Sequence, residues 1–198
     1  LVEGNRGLYD GKDGEGSCSS AELAKLLRCP VIIVADCTKV TRTMAAIILG
    51  LTAFDPKVDI RGVILNRTAG CRHQNILRDS IEKYTDVRVL GILPKLPENP
   101  IPERHMGLIS DAEHGEDPFA AIADCLRANA DLVACLDIAR SAPALNVDPA
   151  PLYPAPESGA AVRIGVARDA ALWFYYQENF EALRHAGAEL VEFSLLAD

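Results

Sequence analysis

Val31-Ile-Ile-Val-Ala35 is a short apolar run dominated by β-branched residues, and two more runs repeat it at Ile60 to Leu65 and Val87 to Leu93. Each run is nearly continuous rather than alternating, the pattern of strands buried on both faces of a parallel sheet. Helical segments separate them. In the first, Glu22 follows Ser19 by three residues, a capping-box pattern, and Leu23, Leu26 and Leu27 supply an apolar stripe. Thr41 to Leu51, crowded with Ala and Ile, predicts a deeply packed second helix. Gln74 to Tyr84 predicts a third, with Ile76, Leu77, Ile81 and Tyr84 on its apolar face. Strand and helix in alternation specify an α/β fold, a parallel sheet with flanking helices.

Working outward, Pro94, Pro97, Pro100 and Pro102 end the regular pattern and predict an ordered loop over the carboxyl edge of the sheet. A helical segment from about Pro118 to Arg140 follows, with Ile122, Leu126, Leu132, Val133 and Leu136 on one side. Residues 141–160 hold five of the 12 prolines and read as a semi-rigid spacer. Beyond it, Val162 to Ala167, Glu178 to His185 and Glu189 to Phe193 form one βαβ element, too small to bury a core of its own. The expected division is therefore 1–140, a domain; 141–160, a linker; and 161–198, the start of another domain. On the other side, Leu1-Val2 runs into Glu3-Gly4 and reads as a strand cut partway, with no Met and no secretory signal before it.

Composition narrows the class. Of 198 residues, 49% are hydrophobic and 24% charged, which places the chain among globular proteins. A net charge of -8 and a pI near 5.0 argue against nonspecific binding to nucleic acid or to anionic lipid. No apolar run approaches the ~20 residues of a membrane-spanning helix. The cysteines Cys18, Cys29, Cys37, Cys71, Cys125 and Cys135 include no CxxC pair, so they read as unpaired thiols of a cytoplasmic protein.

Val2-Glu-Gly-Asn-Arg-Gly-Leu-Tyr-Asp-Gly11 is the richest stretch for chemistry. Glu3 would stand at a strand's carboxyl end, where open α/β sheets bind ligands. Its glycines admit close backbone approach, and Glu3 and Asp10 offer hard oxygens suited to Mg²⁺. A glycine-rich turn with two solvated acids accounts for the same residues. Lys12 does not complete a phosphate loop, because Asp13 rather than Ser or Thr follows it. Asn66-Arg67 ends the second strand, and an amide there both donates to and accepts from an adenine edge; a turn-stabilising Asn reads equally well. Arg104 and His105, after the prolines, suit a carboxylate or phosphate, or else an exposed charged loop. His73, His114 and His185 lack partners at catalytic spacing and are expected at the surface. Arg168 to Asn179 gathers four aromatics in a strand-to-helix loop, as a surface for another domain or a large flat ligand would, or a plain core.

In order, Glu3 to Gly11, Gly62-Val-Ile-Leu-Asn-Arg67, Leu90-Gly-Ile-Leu-Pro94 with Pro102-Glu-Arg-His-Met-Gly-Leu108, and Ala167 to Tyr176 resemble the cobyrinate a,c-diamide synthases over nearly the whole chain. The strand-Asn-Arg motif is shared more widely with dethiobiotin-synthetase-like ATP enzymes. The resemblance implies a P-loop NTPase-like domain that binds ATP and Mg²⁺ and activates a corrin acetate, followed by a class I glutamine amidotransferase domain that supplies ammonia. Cobyrinic acid would be the substrate and glutamine the ammonia source, and a homodimer would be in keeping with related ATP domains. By position, the resemblance makes Glu3 a metal ligand, with Asp10 beside metal or substrate. Asn66, Arg67 and Pro94 fall to the nucleotide and Arg104 and His105 to nucleotide or substrate.

Two parts of the family pattern are missing from these residues: the phosphate loop ahead of the Glu3 motif, and the glutaminase Cys with its His and acidic partner. The 198 residues alone are therefore expected to be inactive. Cobyric acid synthase, a nickel-sirohydrochlorin a,c-diamide synthase, or a nucleotide-binding regulatory ATPase that amidates nothing are the alternatives. Arg168 to Asn179 speaks against the last, since such an ATPase needs no unit after the spacer.

Overall fold

A computed structural model describes residues 1–4, 6–96, 119–145 and 162–197, and these divide into two compact units. In the first, α1 (Ser20–Leu27), β1 (Val31–Asp36), α2 (Thr43–Phe54), β2 (Ile60–Thr68), α3 (Cys71–Tyr84) and β3 (Arg88–Pro94) follow one another, then α4 (Phe119–Asn129) and α5 (Leu132–Arg140). The second unit holds β4 (Arg163–Ala167), α6 (Gln177–His185) and β5 (Glu189–Phe193).

The strands of the first unit lie in the order β1-β2-β3, all parallel, with Ile33 opposite Val63 and Val63 opposite Val89. Successive side chains on a strand point to opposite faces. Val63, Leu65 and Ile92 share one face and pack with Met44, Ala45 and Ile48 of α2 and Leu77 and Ile81 of α3, a cluster from which water is excluded. Ile48, Leu65, Leu77 and Ile81 are wholly buried. On the other face, Leu90 is buried beside the junction of α4 and α5, and Ala134 is buried in α5.

Four expectations need correction. The strands are not all buried on both faces: among the described residues β1 pairs with β2 alone, and Val34 is 63% exposed. Ile33 and Ala35 face the cluster, whereas Val34 points the other way, where α4 and α5 contact β3 instead. Similarly, α1 has its Ser19 cap, whose Oγ accepts from Glu22 N at 3.3 Å, but buries Ala21 rather than its leucines; Leu26 is 78% exposed. Leu1 and Val2 form no strand, since two residues without a paired neighbour gain no ladder hydrogen bonds.

The helix expected from Pro118 to Arg140 is two helices. Ala130 bridges antiparallel to Gly91, and the Asp131 amide donates to the Leu90 carbonyl at 2.7 Å, which pulls the chain off the helical path. Asp131 then caps α5 by accepting from Ala134 N at 2.9 Å. A glycine is required at position 91: a Cβ there would lie 2.9 Å from the Ala130 Cβ and 3.2 Å from Asn129 O.

In the second unit, β4 and β5 pair in parallel from Arg163 opposite Glu189 to Ala167 opposite Phe193, as their sequence predicts. Among its described residues, only Val166 and Phe180 are buried.

Candidate functional site

The carboxyl ends of β1, β2 and β3 meet along one edge. Asp36 lies opposite Asn66, and Thr68 opposite Pro94. Between Leu65 and Thr68 the second strand advances three residues while β3 advances two, a bulge that leaves Asn66 and Arg67 unpaired with β3. Arg67 adopts the left-handed conformation, φ 56°, which few non-glycine residues take. Lys39, in the loop after β1, does the same at φ 56°. Two cationic residues in strained backbone on one strand edge mark a place where the fold spends stability on geometry.

Backbone and side-chain bonds fix this edge. Cys37 N donates to Asn66 O at 2.9 Å, and Lys95 N donates to Thr68 O at 2.9 Å. Buried Thr68 donates its hydroxyl to Leu93 O at 2.9 Å and accepts from Gln74 Nε2 at 3.1 Å. Asn66 Oδ1 accepts from Arg67 N at 2.8 Å, so among the described residues its amide NH₂ is unengaged and available to a ligand acceptor. Asp36 Oδ1 accepts from Thr38 N at 2.8 Å, and Arg67 Nη1 stands 3.4 Å from Asp36 Oδ2. The Thr38 hydrogen bonds, with a smaller contribution from Arg67, hold the Asp36 carboxyl below its ordinary value, so it is anionic at neutral pH. Burial, and next the neighbouring Asp36 charge, push the Cys37 thiol up to about 11; it stays a thiol and makes a poor nucleophile.

The structure thus brings Asn66, Arg67 and Pro94 to one edge. The loop that carries Asp10 is tied to α2. Tyr9 donates to Leu51 O in the last turn of α2 at 2.6 Å, and its ring lies 4.7 Å from that of Phe54. Asp10 Oδ2 accepts from Gly7 N at 3.1 Å. Glu3 is exposed, and its carboxylate has no partner among the described residues, which leaves both oxygens for a hard cation. No group of three metal-ligating side chains converges among the described residues. Magnesium held largely by phosphates and water asks for only one or two carboxylates, a demand Glu3 can meet. Arg104 and His105 lie outside the described residues.

Sequence reasoning missed three residues of this edge. Asp36 ends β1 and Lys39 lies in the loop after it; the strand-end logic that picks out Asn66, applied one residue beyond Ala35, also reaches Asp36. His73 is no bystander at the surface: half-buried, it lies 2.6 Å through Nε2 from Val40 O and 2.9 Å through Nδ1 from Ala69 N.

The AAA domain family model matches residues 1–100. A cobyrinate a,c-diamide synthase of Dehalococcoides mccartyi is 44% identical over 202 residues, covering 100% of this chain and 44% of that protein. One from Methanosarcina acetivorans is 40% identical, covering 100% of this chain and 42% of its own. A hydrogenobyrinate a,c-diamide synthase of Streptomyces coelicolor is 38% identical, covering 100% and 48%. The chain therefore spans less than half the length of these relatives. No solved structure matches it. By its parallel α/β unit and residues 1–100 the chain belongs to the AAA domain family, and along its whole length it resembles the cobyrinate a,c-diamide synthases.

Proposed function

We propose that the chain serves ATP- and glutamine-dependent amidation of the a and c acetate carboxylates of cobyrinic acid, as part of a longer amidoligase. The observation that carries this reading is the similarity of every part of the chain, both units included, to a,c-diamide synthases. The carboxyl edge supports it. Asn66 offers a free amide to an adenine, Pro94 flanks it, and Arg67 and Lys39 offer cations to phosphate. Positioned positive charge is what phosphoryl transfer requires of a protein, and a phosphorylated carboxylate has a far better leaving group than hydroxide.

In this reading Glu3 is a magnesium ligand and Asp10 acts beside it, while Arg104 and His105 hold carboxylates of the corrin. When bound, Mg²⁺ neutralises phosphate charge. Residues 1–140 belong to the amide synthase domain, 141–160 to a linker, and 161–198 open a glutamine amidotransferase domain working in the cytoplasm, with a homodimer as the assembly. The hydrogenobyrinate name of one relative makes a cobalt-free corrin the alternative substrate.

The test is to express the full reading frame that contains these residues and supply cobyrinic acid, Mg-ATP and glutamine. Mass spectrometry should show a monoamide and then a diamide, each requiring ATP; absence of both rejects the reading. Hydrogenobyrinic acid in competition decides between the corrins. Residues 1–198 alone, lacking a phosphate-loop motif and a cysteine in a glycine-rich turn, should turn over neither ATP nor glutamine.

A further inference from the structure

His73 sits in the first turn of α3, yet both its ring nitrogens are engaged with backbone outside the helix ladder. Nδ1 faces Ala69 N, which is an N–H and can only donate. Nε2 faces Val40 O, a carbonyl that can only accept. One protonation state satisfies both: the neutral ring with its proton on Nε2. The Nδ1–H tautomer would set donor against donor at Ala69 and acceptor against acceptor at Val40, and the imidazolium would break the Ala69 bond.

The two partners are not equivalent. Ala69 is four residues away, in the turn that joins β2 to α3, so that bond is local. Val40 is 33 residues away, in the loop that leaves β1 immediately after Lys39. The ring therefore ties the loop that carries Lys39, just after β1 ends at Asp36, to the turn following Asn66 and Arg67. The two loops otherwise meet through the Cys37–Asn66 backbone bond and an exposed Arg67–Asp36 pair at 3.4 Å. An exposed pair of that length contributes little. A neutral imidazole between two backbone groups is a stiffer link, since neither partner can rotate away.

We propose that His73, as the neutral Nε2–H tautomer, is a positioning residue that holds the β1 and β2 carboxyl-edge loops in register for nucleotide binding. This rests on the reading of that edge as the nucleotide site. It touches no substrate and acts through Lys39, Asn66 and Arg67.

Two substitutions separate the bonds. In His73→Asn, the side-chain oxygen takes the place of Nδ1 and keeps the Ala69 bond, while the reach to Val40 is lost. In His73→Gln, the longer amide restores a donor near the Nε2 position. The full-length protein is used for kinetics with ATP. His73→Asn should raise KM for ATP about three- to tenfold, the worth of one hydrogen bond, with kcat little changed. His73→Gln should recover most of that loss. An Asn variant with native KM, or a Gln variant no better than Asn, overturns the proposal. Independently, ¹⁵N NMR of the neutral native ring should show its proton on Nε2; an Nδ1–H tautomer overturns it too. Should the native protein bind ATP yet amidate no corrin, the proposed reaction fails, whereas ATP affinity of the two variants by calorimetry still decides the role of His73.

Discussion

At the scale of single residues, the carboxyl edge trades stability for placement. Arg67 bears a left-handed backbone cost of roughly 1 kcal/mol that glycine would escape. Its exposed ion pair with Asp36 returns at most about 1 kcal/mol. Arg67→Gly should accordingly leave the urea midpoint within the equivalent of about 1 kcal/mol of native, because the two changes oppose each other. Nucleotide affinity should fall, since the cation is gone. Native ATP affinity in this variant would show that Arg67 is strained for some other reason. The position of Asn66 at a strand end was legible from the apolar run before it. The bulge that turns Arg67 outward was not, because it depends on β3 advancing more slowly than β2 between Leu65 and Thr68.

Between elements, one charged contact stands out for its pH behaviour. Lys25 of α1 lies 2.7 Å from Asp55, which ends α2, and 2.6 Å from Glu22. Hydrogen bonding to Asp55 and then to Glu22 raises Lys25 to about 12, and Lys25 in turn is the main cause holding Asp55 below 3.8. For the lysine, whose folded value is raised, the stabilisation is fully present below 10.5 and disappears as pH climbs through about 12. For the aspartate, whose folded value is depressed, it is present above 3.8 and disappears as pH falls through that lowered value. Lys25→Met should therefore be less stable than native across the neutral range, with the gap in urea midpoints closing toward both extremes. A gap independent of pH would mean that lost packing of the lysine stem, not charge, causes it. Element types and most boundaries in this unit follow from periodicity, yet the split of the α4–α5 segment does not. Apolar spacing runs unbroken from Ile122 to Leu136, and the break comes from Asp131 bonding to Leu90 O, about 40 residues back in the chain.

For the molecule as a whole, the two units differ in how much they bury. The first has a cluster of buried side chains drawn from α2, α3, β2 and β3; the second, among its described residues, buries Val166 and Phe180. Regions with few buried apolar contacts open at lower free energy. Hydrogen exchange should therefore be at least about tenfold faster at the β4–β5 ladder amides than at those of β1–β2. Equal protection would mean the small unit gains stability from a source other than its own core.

The sequence by itself determined the alternation of strand and helix, the parallel sheet, the placing of Asn66 at a carboxyl edge, and the resemblance to corrin a,c-diamide synthases. All of these are written in residues close together in the chain, through periodicity, strand-end position and ordered motifs. Only the tertiary structure decided that Val34 is left exposed, that Asp36 faces Arg67, that Tyr9 ties its loop to α2, and that His73 joins two loops. Those facts depend on strand register, a one-residue bulge and contacts between residues more than 30 apart, none of which leaves a local pattern to read.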